Sequence, residues 1–318
     1  MQGRRSVLMP FAESALDVRL NRILLATDLS PASVKPLHHA LAIARHYGAK
    51  LCVAHIVSPV PYLMAGPEAL QLACDGASQD LQRLRNEMLH DSSLGGLDRE
   101  FIVRYGTIWE ELQAIIFEQG VDLVVVGTHA RRGIAKVLLG SVAEQAFRGA
   151  RCPVLSVGPH AYQDGRVQVD GQIPTYLFAT DFSDASLSAL PLARSLAHQT
   201  KARLILMHVV PAAAAPQISG WYSSAEIAAM RENARMSYVR QLQQLMPNDD
   251  EAPIDTELLT RFGIPSEKIL DTALEKKVEL IILGLHRASL AGTISHMPWA
   301  TAYEIVCGAG CPVLTVRQ

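Results

Sequence analysis

The chain lacks a bias of charge. Its 29 lysines and arginines nearly balance 31 aspartates and glutamates, leaving a formal net charge of -2. That excludes the strong basic excess of a general nucleic-acid binder and leaves room for a small local anion site. It also lacks a disulfide framework: the five cysteines are odd in number and scattered along 318 residues, unlike the dense even sets of small secreted domains. Cys307 and Cys311 have no second pair to complete a metal site. Cys52, Cys152 and Cys311 stand in apolar runs and read as small core residues. No stretch reaches the ~20 apolar residues that span a bilayer. The leading MQGRRSVLMPFAESAL is broken by Glu13 and followed by no good cleavage site, so it reads as no signal peptide. The expectation is a cytoplasmic protein with neither membrane nor nucleic acid as partner.

The familiar catalytic words are missing too. There is no G-x-x-x-x-G-K-[ST], no G-x-G-x-x-G after the first strand, no H-E-x-x-H and no G-x-S-x-G. No carboxylate pair is placed for acid–base work. A dedicated catalyst is therefore not expected, and slow ATP hydrolysis is the most that a binding site would add.

What the chain does have is a repeat. RILLATD (22–28) matches TYLFATD (175–181), and KLCVAHIV (50–57) matches RLILMHVV (203–210), both at an offset of 153. IVRYG (102–106) faces LLTRFG (258–263), and DLVVVGTH (122–129) faces ELIILGLH (279–286), with Gly106–Gly263 and Gly127–Gly284 both 157 apart. CPVLSV (152–157) faces CPVLTV (311–316) at 159. Five landmarks in the same order, with small insertions at two loops, mark a duplication. The short apolar runs do not alternate, which is the pattern of parallel strands covered on both faces. Helical stretches lie between them. The first opens at Ser30-Pro31 and carries Leu37, Leu41 and Ala44 along one face. Strand–helix alternation implies right-handed βαβ units. The expected fold is α/β, two tandem Rossmann-like domains, each a five-stranded parallel sheet with about four helices. The expected boundaries are an N-terminal arm (1–17), a first domain (18–158), a Gly-rich polar linker (159–173) and a second domain (174–318).

In open parallel sheets, ligands sit beyond the carboxyl ends of the strands. Asp28 ends the first strand and Gly127 the fourth. After Gly127 the chain reads GTHARRGIAKVLLGSVAEQAF, in which Gly140-Ser141-Val142 opens a helix and Arg131, Arg132 and Lys136 add positive charge. A helix N-terminus suits phosphate. The run G-x-x-A-x9-G-S from Gly127 to Ser141 resembles the nucleotide loop of universal stress proteins, G-x-x-G-x9-G-S/T. ATDLS, ATDFS, HIV, HVV and CPVL are also similar to that family, and the resemblance covers both copies.

The resemblance implies an adenine-nucleotide-binding fold of the adenine nucleotide alpha hydrolase kind, with ATP as cofactor, alone or with Mg²⁺. It implies that Ala26, Thr27 and Asp28 hold the adenosine and that the Ile56 backbone meets the adenine edge. Gly127, Ala130, Gly140, Ser141 and Val142 would line the phosphates, with Arg131 and Arg132 beside them. Ala130 departs from the family glycine, and its Cβ could crowd a phosphate. The second copy keeps Asp181 but has Arg287 at the glycine position. It replaces Gly-Ser by Met297-Pro298, or by Trp299-Ala300 when counted back from Cys311. ATP binding there through this loop is not expected, since Pro298 has no N–H to offer.

Plainer readings stand beside these. Ser141-x-x-Glu144 and Thr107-x-x-Glu110 both have the form of a capping box. Asp28 could simply shape its turn, and Arg131 with Arg132 form an ordinary solvated pair. His55 and His208 read as satisfied core histidines, and Trp299 as a packing residue.

Three functions compete. One is a cytoplasmic tandem universal stress protein that binds ATP in its first half and acts through nucleotide-dependent interactions with a protein partner. The second is a scaffold whose loops are relics. The third gives the rebuilt second loop (His286, Arg287, His296, Trp299) a small ligand of its own. The resemblance implies that the last strand of each copy, a short apolar run, lies at the sheet edge, where it invites pairing, so the expected assembly is an internal pseudo-dimer, with a further homodimer left open.

Overall fold

The computed structural model describes residues 18–62, 64–90, 96–128, 140–161, 173–211, 223–246, 254–285 and 299–317. The first half runs β1 (Arg22–Ala26), α1 (Val34–Tyr47), β2 (Lys50–Val57), α2 (Pro67–His90), β3 (Arg99–Tyr105), α3 (Ile108–Gln119), β4 (Leu123–Gly127), α4 (Ser141–Gly149) and β5 (Val154–Val157). The second half repeats it as β6 (Thr175–Ala179), α5 (Asp184–Leu187), α6 (Leu190–Thr200), β7 (Arg203–Pro211), α7 (Ser224–Gln244), β8 (Thr256–Gly263), α8 (Pro265–Glu275), β9 (Leu280–Leu285), α9 (Trp299–Gly308) and β10 (Val313–Arg317). Among the described residues, each half has the expected five strands. The extra helix of the second half arises because its first helix is split at Ser188–Ala189.

All ten strands form one sheet, in the order β3-β2-β1-β4-β5-β10-β9-β6-β7-β8. Within each half every pairing is parallel; only β5 and β10 run antiparallel. At that seam Leu155 faces Leu314, Val154 faces Thr315 and Ser156 faces Val313. Leu155 and Leu314 are repeat equivalents, so a pseudo-two-fold axis passes through their pair. The expected internal pseudo-dimer is thus formed by the two CPVL strands. Because the seam is antiparallel, the carboxyl ends of β1 and β4 and those of β6 and β9 lie at opposite edges of the sheet.

The unbroken apolar runs are explained by burial on both faces. Leu24, Cys52, Ala54 and Ile56 point into one core with Leu177, Ile205 and Ile281. Ile23, Leu25, Leu51 and Val53 point into the other with Phe178, Leu204 and Ile282. Helices α3, α4, α8 and α9 cover the first face, and α1, α2, α6 and α7 the second. Leu41 and Ala44 are buried in the second core with Leu37 packed against it, as the spacing on α1 requires. Cys52, Cys307 and Cys311 are buried, and Cys152, expected in the core, is half-buried against it. Burial pushes the Cys152 thiol up to about 11 and Cys311 up to about 12, so neither is a nucleophile near neutral pH.

The halves are also tied by polar contacts across the dyad. Arg317 on β10 donates to the Phe147 carbonyl at 2.6 Å and to that of Arg148. A cation is thereby set at the carbonyl end of α4, where the helix dipole favours it. Ahead of β1, the Val18 N–H donates to Ser195 Oγ at 2.7 Å, and Gln199 Nε2 donates to the Val18 carbonyl at 3.0 Å, both on α6. Repeat-equivalent ion pairs, Arg104–Glu118 and Arg261–Glu275, fasten β3 to α3 and β8 to α8.

Leu314 is 4% exposed at the seam. Its truncation to Ala is expected to lower the unfolding free energy by about 2–5 kcal/mol, measured by urea denaturation. A loss under about 0.5 kcal/mol, the range of neutral surface changes, would show that the seam carries little of the stability.

Candidate functional site

The strand order reverses between β1 and β4, so the crevice of the first half opens there, beyond the strand ends. Ala26 and Val126 are register partners. This sets Thr27 and Asp28 on one wall and Gly127 on the other. Ile56 is buried on β2, beside β1, where it pairs with Arg104 of β3. Gly140 ends the connection from β4 as the N-cap of α4, with extended backbone (φ -61°, ψ 149°), and Ser141 is the first helical residue, followed by Val142. Because α4 runs back along the sheet, its N-terminus lies at the same edge as Asp28 and Gly127. Ala130, Arg131 and Arg132 lie outside the described residues, as do Arg287 and Met297-Pro298 of the second loop.

The reading of Ser141 as N-cap is corrected: Gly140 holds that place and brings no side chain, so the first-turn N–H groups get no side-chain acceptor from the cap. Glu144 pairs instead with Arg148 at 2.8 Å. Thr107 does hold the N-cap of α3, but without a side-chain hydrogen bond. Ser30 likewise caps by position only, and the turn Pro31–Ser33 that follows is a 3-10 turn leading into α1. The bonds there are made by Asp28: its Oδ1 accepts from the Ser30 N–H at 3.0 Å and from Ser33 Oγ–H at 2.7 Å. Asp28 therefore does shape its turn.

The turn is strained in both copies, which no sequence signal announced. Leu29 and its equivalent Phe182 have φ of 59° and 63°, a region that disfavours side chains by roughly 1–2 kcal/mol. Each N–H is held by the hydroxyl two residues back, Thr27 Oγ1 at 3.0 Å and Thr180 Oγ1 at 2.9 Å. The histidines complete the frame. Nδ1 of His55 lies 2.9 Å from the Thr27 carbonyl and Nδ1 of His208 2.8 Å from that of Thr180. A carbonyl only accepts, so both Nδ1 atoms carry the proton. Both are hydrogen-bonded as expected, His208 buried in the core and His55 half-buried at its margin.

The second half has the same frame with a different filling. Asp181 Oδ1 accepts from the Ser183 N–H at 3.0 Å and its hydroxyl at 2.6 Å. Its Oδ2 is buried with no hydrogen-bond partner among the described residues. Phe182, His208 and Tyr238 of α7 pack together, the histidine tilted against both neighbours at centroid separations of 4.7 Å and 4.6 Å; Leu29 stands at the Phe182 position in the first half. Above β9, α5 lies so close that a Cβ on Gly284 would come within 2.2 Å of the Ala185 carbonyl oxygen and 2.6 Å of Ser186 Cα. Backbone therefore crowds the end of β9. Helix α9 is described from Trp299 onward, and the residues before it lie outside the described ones.

Among the described residues no group of His, Cys, Asp and Glu could hold a metal ion, and no helix is long and apolar enough to cross a membrane. The geometry thus defines a class: a tandem, doubly wound α/β protein with an internal dyad and a switch-point crevice at each outer edge. Comparison with known proteins agrees. The family model described as "Universal stress protein family" matches residues 19–158 and again 174–317. A universal stress protein of Thermus aquaticus is 35% identical over 140 residues, 42% of this chain and 96% of that protein. One from Mycobacterium tuberculosis is 24% identical over 226 residues, 70% of this chain and 72% of its own. The crystal structure of a universal stress protein from Archaeoglobus fulgidus, 19% identical, superposes with a TM-score of 0.63 over 94% of this chain and 99% of that one. The chain belongs to the universal stress protein family.

Two outcomes follow from the second half. Gly284→Ala is expected to force α5 off the sheet edge and cost about 1–3 kcal/mol, read by thermal or urea unfolding; an unchanged midpoint would contradict the close packing. Burial also holds the His208 pKa below its ordinary value. Below about pH 6.5, the unfolded histidine value, the unfolded chain takes up a proton that the fold resists. Stability should therefore fall as the pH drops through that value, with no contribution above it. Urea midpoints from about pH 7.5 down to 5 should decline less steeply in His208→Asn than in the wild type.

Proposed function

We propose that the first half binds ATP in the crevice between β1 and β4 and that the bound state biases contacts with a protein partner in the cytoplasm. In this reading the protein is a nucleotide-responsive binding module, not a dedicated catalyst. The observation that carries it is the N-terminus of α4. Gly140 gives the first N–H groups of a nine-residue helix no side-chain acceptor from the cap, at the edge where a phosphate gains both those donors and the helix dipole. Gly127, Ala130, Gly140, Ser141 and Val142 would line the phosphates, with Arg131 and Arg132 adding charge. Ala26, Thr27, Asp28 and the Ile56 backbone would hold the adenosine, and Mg²⁺, where present, would be bound through the phosphates. The second half, crowded by α5 and carrying Trp299 at the Gly140 position, is the partner that completes the sheet.

The competing reading, a scaffold with relic loops, draws on Asp28, whose Oδ1 is already engaged by its own turn.

The test is calorimetry with ATP and Mg²⁺ on the wild type and on Gly140→Asp. The Gly140 backbone is ordinary extended geometry, and Asp is a good N-cap, so the variant should fold with stability equal or a few tenths of a kcal/mol higher. Its carboxylate would occupy the phosphate position. The expected result is saturable binding by the wild type and loss in the variant. No binding by the wild type at millimolar ATP would leave the scaffold reading in its place.

A further inference from the structure

The inward stripe of α7 changes character along its length. At its C-terminal end Leu242 is fully buried in the core beneath it, and one turn earlier Tyr238 packs against His208. A helix that only covers a sheet would continue this stripe with apolar side chains. Instead the same face carries Arg235, Arg231 and Ile227 at spacings of four. With Ala228, Glu232 and Phe262 these line a groove of about 500 Å³. Phe262 is the penultimate residue of β8, so the groove lies at the ligand-binding edge of the second half, outboard of the β6–β9 crevice.

The charges in the groove are not mutually satisfied. Glu232 is spent on Arg235, with Nε–Oε2 at 2.9 Å and Nη2–Oε1 at 2.6 Å, a two-pronged pairing that fixes that guanidinium in place. Arg231 has no acidic partner among the described residues, so the lining keeps one uncompensated positive charge beside the apolar walls of Ile227 and Phe262. The first half does not share this chemistry. At an offset of 153 or 157, Arg231 falls on Ser78 or Cys74 of α2, and Arg235 on Gln82 or Ser78. The arginines belong to the half that departs from the phosphate-loop motif.

We propose that this groove is a second ligand site, for an organic anion with an aromatic or branched apolar body. Arg231 takes the carboxylate or phosphate, and Phe262 and Ile227 pack against the body. The pairing suits the guanidinium, which forms forked bonds to either anion, while the groove has room for a small ring. Neither the ATP site of the first half nor the second phosphate loop takes part.

The test uses calorimetry on the full chain with phenyl phosphate, benzoate, inorganic phosphate and neutral phenol as probes. The proteins are the wild type, Arg231→Gln and Gly140→Asp. Small ligands of this size bind in the millimolar range, so titration runs to about 10 mM. The expected result is saturable binding of phenyl phosphate or benzoate, with inorganic phosphate and phenol each at least about tenfold weaker. Arg231→Gln should lose about tenfold or more, and Gly140→Asp should leave affinity unchanged. Arg231 is exposed, so its variant should fold, which an unchanged urea midpoint checks. No saturable binding of either aromatic anion overturns the site. Equal binding by Arg231→Gln overturns it too, as does binding lost in Gly140→Asp alone, which would move the anion to the first half. Failure of ATP binding in the first half leaves each of these readouts unaffected.

Discussion

Ten strands in one sheet depend on a single antiparallel seam. β5 and β10 are short apolar strands, each paired on one side within its own half. Left alone, the other side of each would present unpaired N–H and C=O groups flanked by Val and Leu, the arrangement that invites aggregation. Pairing the two satisfies both edges at once. The outer edges left to the protein are β3 and β8, whose partly buried residues carry the Arg104–Glu118 and Arg261–Glu275 ion pairs. Charged side chains on an edge strand discourage further pairing.

The antiparallel seam also decides where function can sit. It turns the second half by a half-circle about an axis across the sheet, so the two crevices open at opposite edges. They cannot merge into one site, and each was free to change without the other. The frame around them stayed: the aspartate, the left-handed residue after it, the hydroxyl that holds its N–H and the histidine on the neighbouring strand recur in both. The filling diverged. One half presents an uncapped helix N-terminus. The other presents backbone crowding Gly284, a ring stack at Tyr238 and a groove with two arginines. Interactions local to a turn survive duplication together because each bond holds the next. Residues facing an open crevice have no such neighbours to hold them.

Much of this was legible in the residues. The five landmarks, the unbroken apolar runs and the CPVL edges led to two parallel five-stranded units joined edge to edge, because burial on both faces and unpaired backbone leave direct marks on composition. The histidines inside apolar strands read correctly as hydrogen-bonded groups. The helix starts were less legible. Ser141 and Ser30 look like side-chain caps, yet Gly140 holds one N-cap and Asp28 makes the bonds at the other turn, since which oxygen reaches which N–H depends on backbone angles that residue type only biases. Arg317 on the α4 carbonyls, Val18 on α6 and Tyr238 on His208 left no signal at all, because each joins residues far apart in the chain.

By itself, the sequence determined the duplication, the parallel α/β units, the apolar seam strands and the family motif from Gly127 to Ser141, all consequences of local pattern and of solvent exclusion. Only the tertiary structure decided the direction of the seam and thus the opposite edges of the crevices. It also set Gly140 as the bare N-cap of α4, brought α5 against Gly284 and placed Arg231 and Phe262 along one groove. These depend on the relative placement of elements, which packing of whole surfaces fixes and no stretch of residues encodes alone.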